Sequence, residues 1–230
     1  MMYYNSMCLM RQYLAVSFAC IGIYFLSNKK KYLFLIFTLI GISFHSSTIV
    51  VLIMYFIMKI KPSKKIRIKI VLISLISFIA FDKIIILLVE LVPKYATYIN
   101  SQYYLSNKLS VYLDVIILLM IFIFKYYVFF KYQNDDKKLR YNWYCIEYYA
   151  SMMALIIGVF SIQGSILGRV GIFFEVINCI TIANSLSSIK NQKHKYILSI
   201  CILSFAIIYN FVILIFRPYW SGVIPYSFWS

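Results

Sequence analysis

Long apolar runs separated by short basic clusters set the pattern of this chain. A bilayer core about 30 Å thick is crossed by about 20 apolar residues in a helix. Runs of that length predict six spanning helices, at roughly 7 to 27, 66 to 86, 109 to 130, 142 to 162, 170 to 188 and 196 to 216. The expected fold is therefore all-α, a polytopic transmembrane bundle in which residues 1 to 230 form a single integral membrane domain.

The segment 33 to 58 does not fit that scheme. Basic clusters fall at Lys29 to Lys31, at Lys59, Lys61, Lys64, Lys65, Arg67 and Lys69, at Lys131, Lys137, Lys138 and Arg140, and at Lys190, Lys193 and Lys195. Loops of this kind favour the cytoplasmic side. A single crossing at 33 to 58 would put one of the first two clusters outside. Two full crossings lack the length, because LFLIFTLIGISF and SSTIVVLIMYFIM each reach only about 18 to 20 Å at 1.5 Å per residue. Two readings remain: a re-entrant hairpin with His45 and Ser46 near its tip, or one long tilted helix. With the hairpin, the N-terminus, residues 87 to 108, the turn 163 to 169 and the tail from Arg217 face outward, and Arg11, His45, Arg169 and Arg217 gather toward one side.

Composition supports a lipid environment. The chain is 63% hydrophobic and only 13% charged, and its mean hydropathy of +0.84 lies far from soluble usage. A net charge of +16 suggests nucleic acid at first sight, but the cations mark loops between apolar runs, which sets a nucleic-acid partner aside. Arg11 interrupts the region where the uncharged core of a signal peptide would begin. The five cysteines, Cys8, Cys20, Cys145, Cys179 and Cys201, stand alone without a Cys-x-x-Cys pair and are expected to be buried thiols. His45 and His194 have no second ligand at metal spacing, so neither a metal nor another cofactor is expected.

Few residues remain that carry chemistry. Arg11 lies a few residues inside the outward end of its helix, where a guanidinium must find water, an anion or a carboxylate, or snorkel. Arg169 sits among Gly164, Gly168 and Gly171 and is either a loop charge or an anion ligand beside a closely approachable backbone. Arg217, in FRPYW, reads also as an interfacial anchor. His45 is either a general base or a residue that hydrogen-bonds a neighbouring helix. Among the acids, Glu147 is expected to be structural, and Asp82, Asp114 and Glu175 to meet basic partners such as Arg11 or Lys83. Lys125 is expected to snorkel toward the cytoplasmic surface. The tail aromatics Tyr219, Trp220, Tyr226, Phe228 and Trp229 fit an interfacial belt or a stacking surface for sugars.

The stretch from MRQYLAVSF through GISFHSST, with its Arg-Gln helix, basic turn and Phe-His-x-Ser segment, resembles the EpsG family of bacterial exopolysaccharide polymerases. GRVGIFFEV is similar to that family's Arg followed by an aromatic pair, with Phe173 and Phe174 where Tyr-Phe is usual, and WSGVIPYSF to its Pro-Tyr ending. Residues before the Arg-Gln helix are fewer than in family members, which implies an N-terminally shortened relative, the C-terminal two-thirds of an EpsG-like polymerase. The resemblance implies Wzy-like glycosyl transfer at the outer face of the bacterial cytoplasmic membrane. Oligosaccharide repeats on undecaprenyl diphosphate are joined, with His45 as catalytic base and Arg11, Arg169 and Arg217 on the diphosphate. Membrane lipid and other polysaccharide-assembly membrane proteins are the implied partners. The competing readings are a lipid-linked sugar flippase or transporter, although the repeated halves such proteins often carry are not seen, and a non-catalytic truncated subunit.

Overall fold

The computed structural model describes residues 10–60, 63–83, 86, 90, 109–132, 138–164 and 167–216. All regular structure among them is helical. The elements are α1 (Met10–Ser27), α2 (Lys31–Phe44), a 3₁₀ helix (Ser46–Leu52), α3 (Ile53–Ile57), α4 (Lys64–Ile79), α5 (Leu109–Tyr132), α6 (Lys138–Phe160), α7 (Leu167–Ser187) and α8 (Gln192–Phe216). Four helices are long and apolar enough to cross a membrane: Met10–Ser27, Trp143–Phe160, Leu167–Ser187 and Gln192–Val212. The chain is thus a helical, multi-pass membrane protein. Of the other two expected spans, 66 to 86 overlaps α4 and 109 to 130 coincides with α5, whose 24 residues include Asp114, Lys125 and Lys131.

The core lies where α1, α2, the 3₁₀ helix, α6 and α7 meet, around Ile23, Phe34, Met54, Tyr148, Phe173 and Phe174. Lipid gives no hydrophobic push between helices, so close approach depends on small residues. Gly22 is such a residue: a Cβ there would come within 3.3 Å of the Phe34 carbonyl oxygen. Gly41 is tighter still: a Cβ there would come within 2.9 Å of Thr48 Cγ2 and 3.2 Å of the Ala15 carbonyl oxygen. The outward faces are apolar, as lipid requires; on α8, Ile197, Leu203, Ile208 and Phe211 are all exposed.

The α1–α2 connection is a Schellman turn. Lys29 N–H bonds the Leu26 carbonyl and Lys30 N–H the Phe25 carbonyl, with Lys29 at φ 62° in the left-handed position where glycine is usual. At the far end of α2, His45 adopts extended backbone (φ −152°, ψ 116°) and breaks the helix. Thr48 Oγ1 donates to the His45 carbonyl at 2.7 Å and stabilises the corner. The chain then folds back. Phe34 stacks on Tyr55 at 6.3 Å, and both Lys31 Nζ (5.9 Å) and Lys59 Nζ (4.5 Å) lie over the Tyr55 ring. A straight helix would hold positions 31 and 55 about 36 Å apart, so the single-helix reading of 33 to 58 does not describe this segment.

Three other sequence expectations are corrected. Lys125 does not reach for the surface: it is 0% exposed and pairs with Glu147, itself 1% exposed, across α5 and α6. Among the described residues Asp114 meets a tyrosine rather than a cation, accepting from Tyr209 at 3.2 Å. Cys145 is buried, but Cys179 and Cys201 are exposed on helix faces, where lipid is as compatible with a thiol as a protein core is. Cys8 lies outside the described residues.

Candidate functional site

The start of α1, the corner after α2 and the start of α7 converge at one end of the bundle. The tie between the two helix starts is a side chain. Gln12, 2% exposed, donates its Nε2 to the Arg169 carbonyl at 2.5 Å. Its neighbour on the helix, Arg11, projects about 100° away at 3.6 residues per turn. Arg11 lines an open groove of about 360 Å³ with Met10, Leu14, Ser43 and Phe44. Arg11 therefore stands beside the residues that lead into His45.

His45 lies outside the four long helices and packs against the start of α7. Its ring centroid is 6.5 Å from that of Phe173, tilted by 46°, and Phe173 is fully buried. Partial burial, followed by the positive charge of Arg169, lowers the imidazole's pKa from its ordinary value. Both effects favour the neutral ring, the form able to accept a proton. His45 Nδ1 is buried with no hydrogen-bond partner among the described residues, so one ring nitrogen is uncommitted.

Arg11 and Arg169 are both exposed, and among the described residues neither forms an ion pair. Two guanidiniums without an ion-pair partner among the described residues, beside a partly buried imidazole, suit an anionic ligand held next to a group that gives up a proton. Arg217 lies outside the described residues. Among those residues no group of three or more His, Cys, Asp or Glu side chains is arranged to hold a metal ion.

A second polar region lies where α5, α6 and α7 meet. Glu147 accepts from Lys125 and from Asn184 Nδ2, and a cavity of about 230 Å³ beside them is lined by Trp143, Tyr144, Glu147, Asn184 and Ser187. Further along the α6–α7 seam, Ser151 Oγ donates to Asn178 Oδ1 at 2.6 Å. These bonds hold α7, the helix that carries Arg169, in fixed register against α6.

Sequence reasoning selected Arg11, His45 and Arg169, which the fold brings to one end. It passed over Gln12 and Phe173 as structural parts of that end. A glutamine beside an arginine near a helix start was the available signal for Gln12, since a buried amide in a membrane helix requires a partner.

No curated protein and no solved structure matches the chain. A sequence model of the EpsG family matches residues 1–228. Together with the polytopic helical architecture, that match over nearly the whole length makes the chain a member of the EpsG family.

Proposed function

We propose that the chain is a Wzy-like polysaccharide polymerase of the bacterial cytoplasmic membrane. It would join oligosaccharide repeats carried on undecaprenyl diphosphate at the outer face. The supporting observation is that Gln12 bonds the Arg169 backbone while His45 packs on Phe173, so Arg11, His45 and Arg169 serve one substrate. In this reading six helices cross the bilayer and the hairpin at 33 to 58 re-enters it with His45 near the tip.

The acceptor sugar hydroxyl gives its proton to the neutral His45 ring as its oxygen bonds to the donor's anomeric carbon. The bond from that carbon to the diphosphate oxygen breaks, and undecaprenyl diphosphate leaves with the electron pair. Arg11, Arg169 and Arg217 offset the negative charge on the leaving group through charge-assisted hydrogen bonds. A positioned base contributes about 10²- to 10⁴-fold to such a step.

The test uses the purified chain in lipid vesicles with a defined lipid-linked repeat, read as polymer length on gels. Polymer from the unaltered protein, and none from His45→Ala that still binds the lipid-linked sugar, is the expected result. Binding and vesicle-to-vesicle sidedness change without any polymer would instead identify a carrier.

A further inference from the structure

The hairpin also assembles a cationic site at its base, at the opposite end of α1 from Arg11. Lys31 and Lys59, 28 positions apart in sequence, both stand over the Tyr55 ring, at 5.9 and 4.5 Å. Lys29 and Lys30 are exposed on the adjoining Schellman turn. Lys29 occupies its left-handed position (φ 62°), a conformation unfavourable for a residue with a Cβ. Glycine would serve that backbone better; lysine keeps a fourth charge there.

Among the described residues none of these cations forms an ion pair. The first 81 residues contain ten Lys and Arg and not one Asp or Glu. Glu147, in the first half of α6, which packs on α3, is already committed to Lys125 and Asn184. Folding the hairpin therefore brings like charges together around one ring, and a bound anion would relieve their repulsion. The surroundings indicate what carries that anion. Tyr32 is 85% and Phe56 64% exposed beside the lysines, which gives apolar surface for an acyl chain, and a tyrosine at this level is typical of the headgroup boundary.

We propose that the base of the hairpin, Lys31 and Lys59 flanking Tyr55 with Lys29 and Lys30 on the adjoining turn, binds the phosphate of an anionic phospholipid headgroup. The site rests on the membrane fold alone and is independent of polymerisation. It fastens the two ends of the hairpin to the membrane surface, so that the corner carrying His45 is held at a fixed depth.

The experiment uses the full chain in nanodiscs or mixed micelles whose phosphatidylglycerol replaces phosphatidylcholine in steps. Retained lipid is read by native mass spectrometry and the melting temperature is followed in parallel. The unaltered chain should retain phosphatidylglycerol selectively and melt higher with it. Lys31→Gln with Lys59→Gln should need about tenfold more phosphatidylglycerol for half the effect. Lys193→Gln with Lys195→Gln, an equal charge loss on α8, should change it less than about twofold. Lys29→Gly guards against a folding defect: it suits the turn, so it should melt no lower in phosphatidylcholine yet retain less phosphatidylglycerol. Equal losses in the two double variants, or no preference over phosphatidylcholine, would overturn the site. A shift reproduced by inorganic phosphate alone would overturn the lipid assignment.

Discussion

Gln12 and Arg169 lie 157 positions apart, yet the side-chain amide of one donates to the backbone carbonyl of the other at 2.5 Å. The bond sets the start of α7 against the start of α1 and fixes where the Arg169 side chain begins. Its carbonyl is also the acceptor available to the helix, so loss of the amide leaves the backbone largely satisfied. Gln12→Ala should cost only about 1 kcal/mol of stability. Because misplacement of a substrate-holding group is costly far beyond its effect on stability, binding of an undecaprenyl diphosphate sugar should weaken about tenfold. Gln12→Met, which has a similar length and no donor, should behave like Gln12→Ala. Unchanged binding in Gln12→Met would show that the amide bond does not position Arg169.

The reversal at His45 has a consequence for sidedness. Lys31 and Lys59 share the Tyr55 ring, so cysteines placed at 31 and 59 should react from the same side of the membrane. The measurement is single-cysteine labelling with an impermeant reagent in intact cells and in inside-out vesicles, on a background with the native cysteines removed. Labelling from opposite sides would mean that this segment crosses the membrane once.

Helices were readable where a run was long and its polarity unambiguous, as in α1, α6, α7 and α8. The reversal near His45 was readable only through a conflict between charge bias and length; no local turn signal of proline or glycine marks it. Lys125 shows the reverse case. Read alone, a lysine near the end of an apolar helix snorkels, and its partner Glu147 lies 22 positions away on the next helix, so the pairing exists only after α5 and α6 pack. Arg11, His45 and Arg169 stood out because polar residues are rare in such runs. Gln12 and Phe173 did not, because their part is to join elements distant in sequence, and one sequence carries no record of distance in space.

The Lys125–Glu147 pair is buried on both sides, and Asn184 completes the carboxylate. Removing one partner strands a charge. Glu147→Gln and Lys125→Met should each destabilise the protein by about 3–5 kcal/mol, read as a lowered melting temperature in detergent. Lys125→Met combined with Glu147→Gln should recover much of that loss, since no uncompensated charge remains. A double variant as unstable as the sum of the singles would show that the two side chains stabilise the bundle independently.

The protonation of His45 links the geometry to the chemistry. Burial and the Arg169 charge both lower its pKa from the ordinary value, so the ring should be neutral through the physiological range and become protonated only below about pH 6.5. Removal of the Arg169 charge takes away one of the two causes; the sign is therefore upward, and Arg169→Gln should raise the midpoint while burial keeps part of the shift. With His194→Gln in both proteins, a single histidine remains, and its ring resonances in nanodiscs report the titration directly. His194 is an exposed residue of the first turn of α8, so its replacement should leave polymer growth unchanged, whereas His45→Ala should remove it. In the polymerase reading, activity is lost as pH falls through the His45 midpoint, because a protonated base cannot accept the hydroxyl's proton. A midpoint at or above 6.5 would show that the ring's pKa is not lowered, and one that stays or falls in Arg169→Gln would show that the Arg169 charge does not act on this ring. Polymer growth that persists in His45→Ala with an unaltered acid limb would assign the base to another residue.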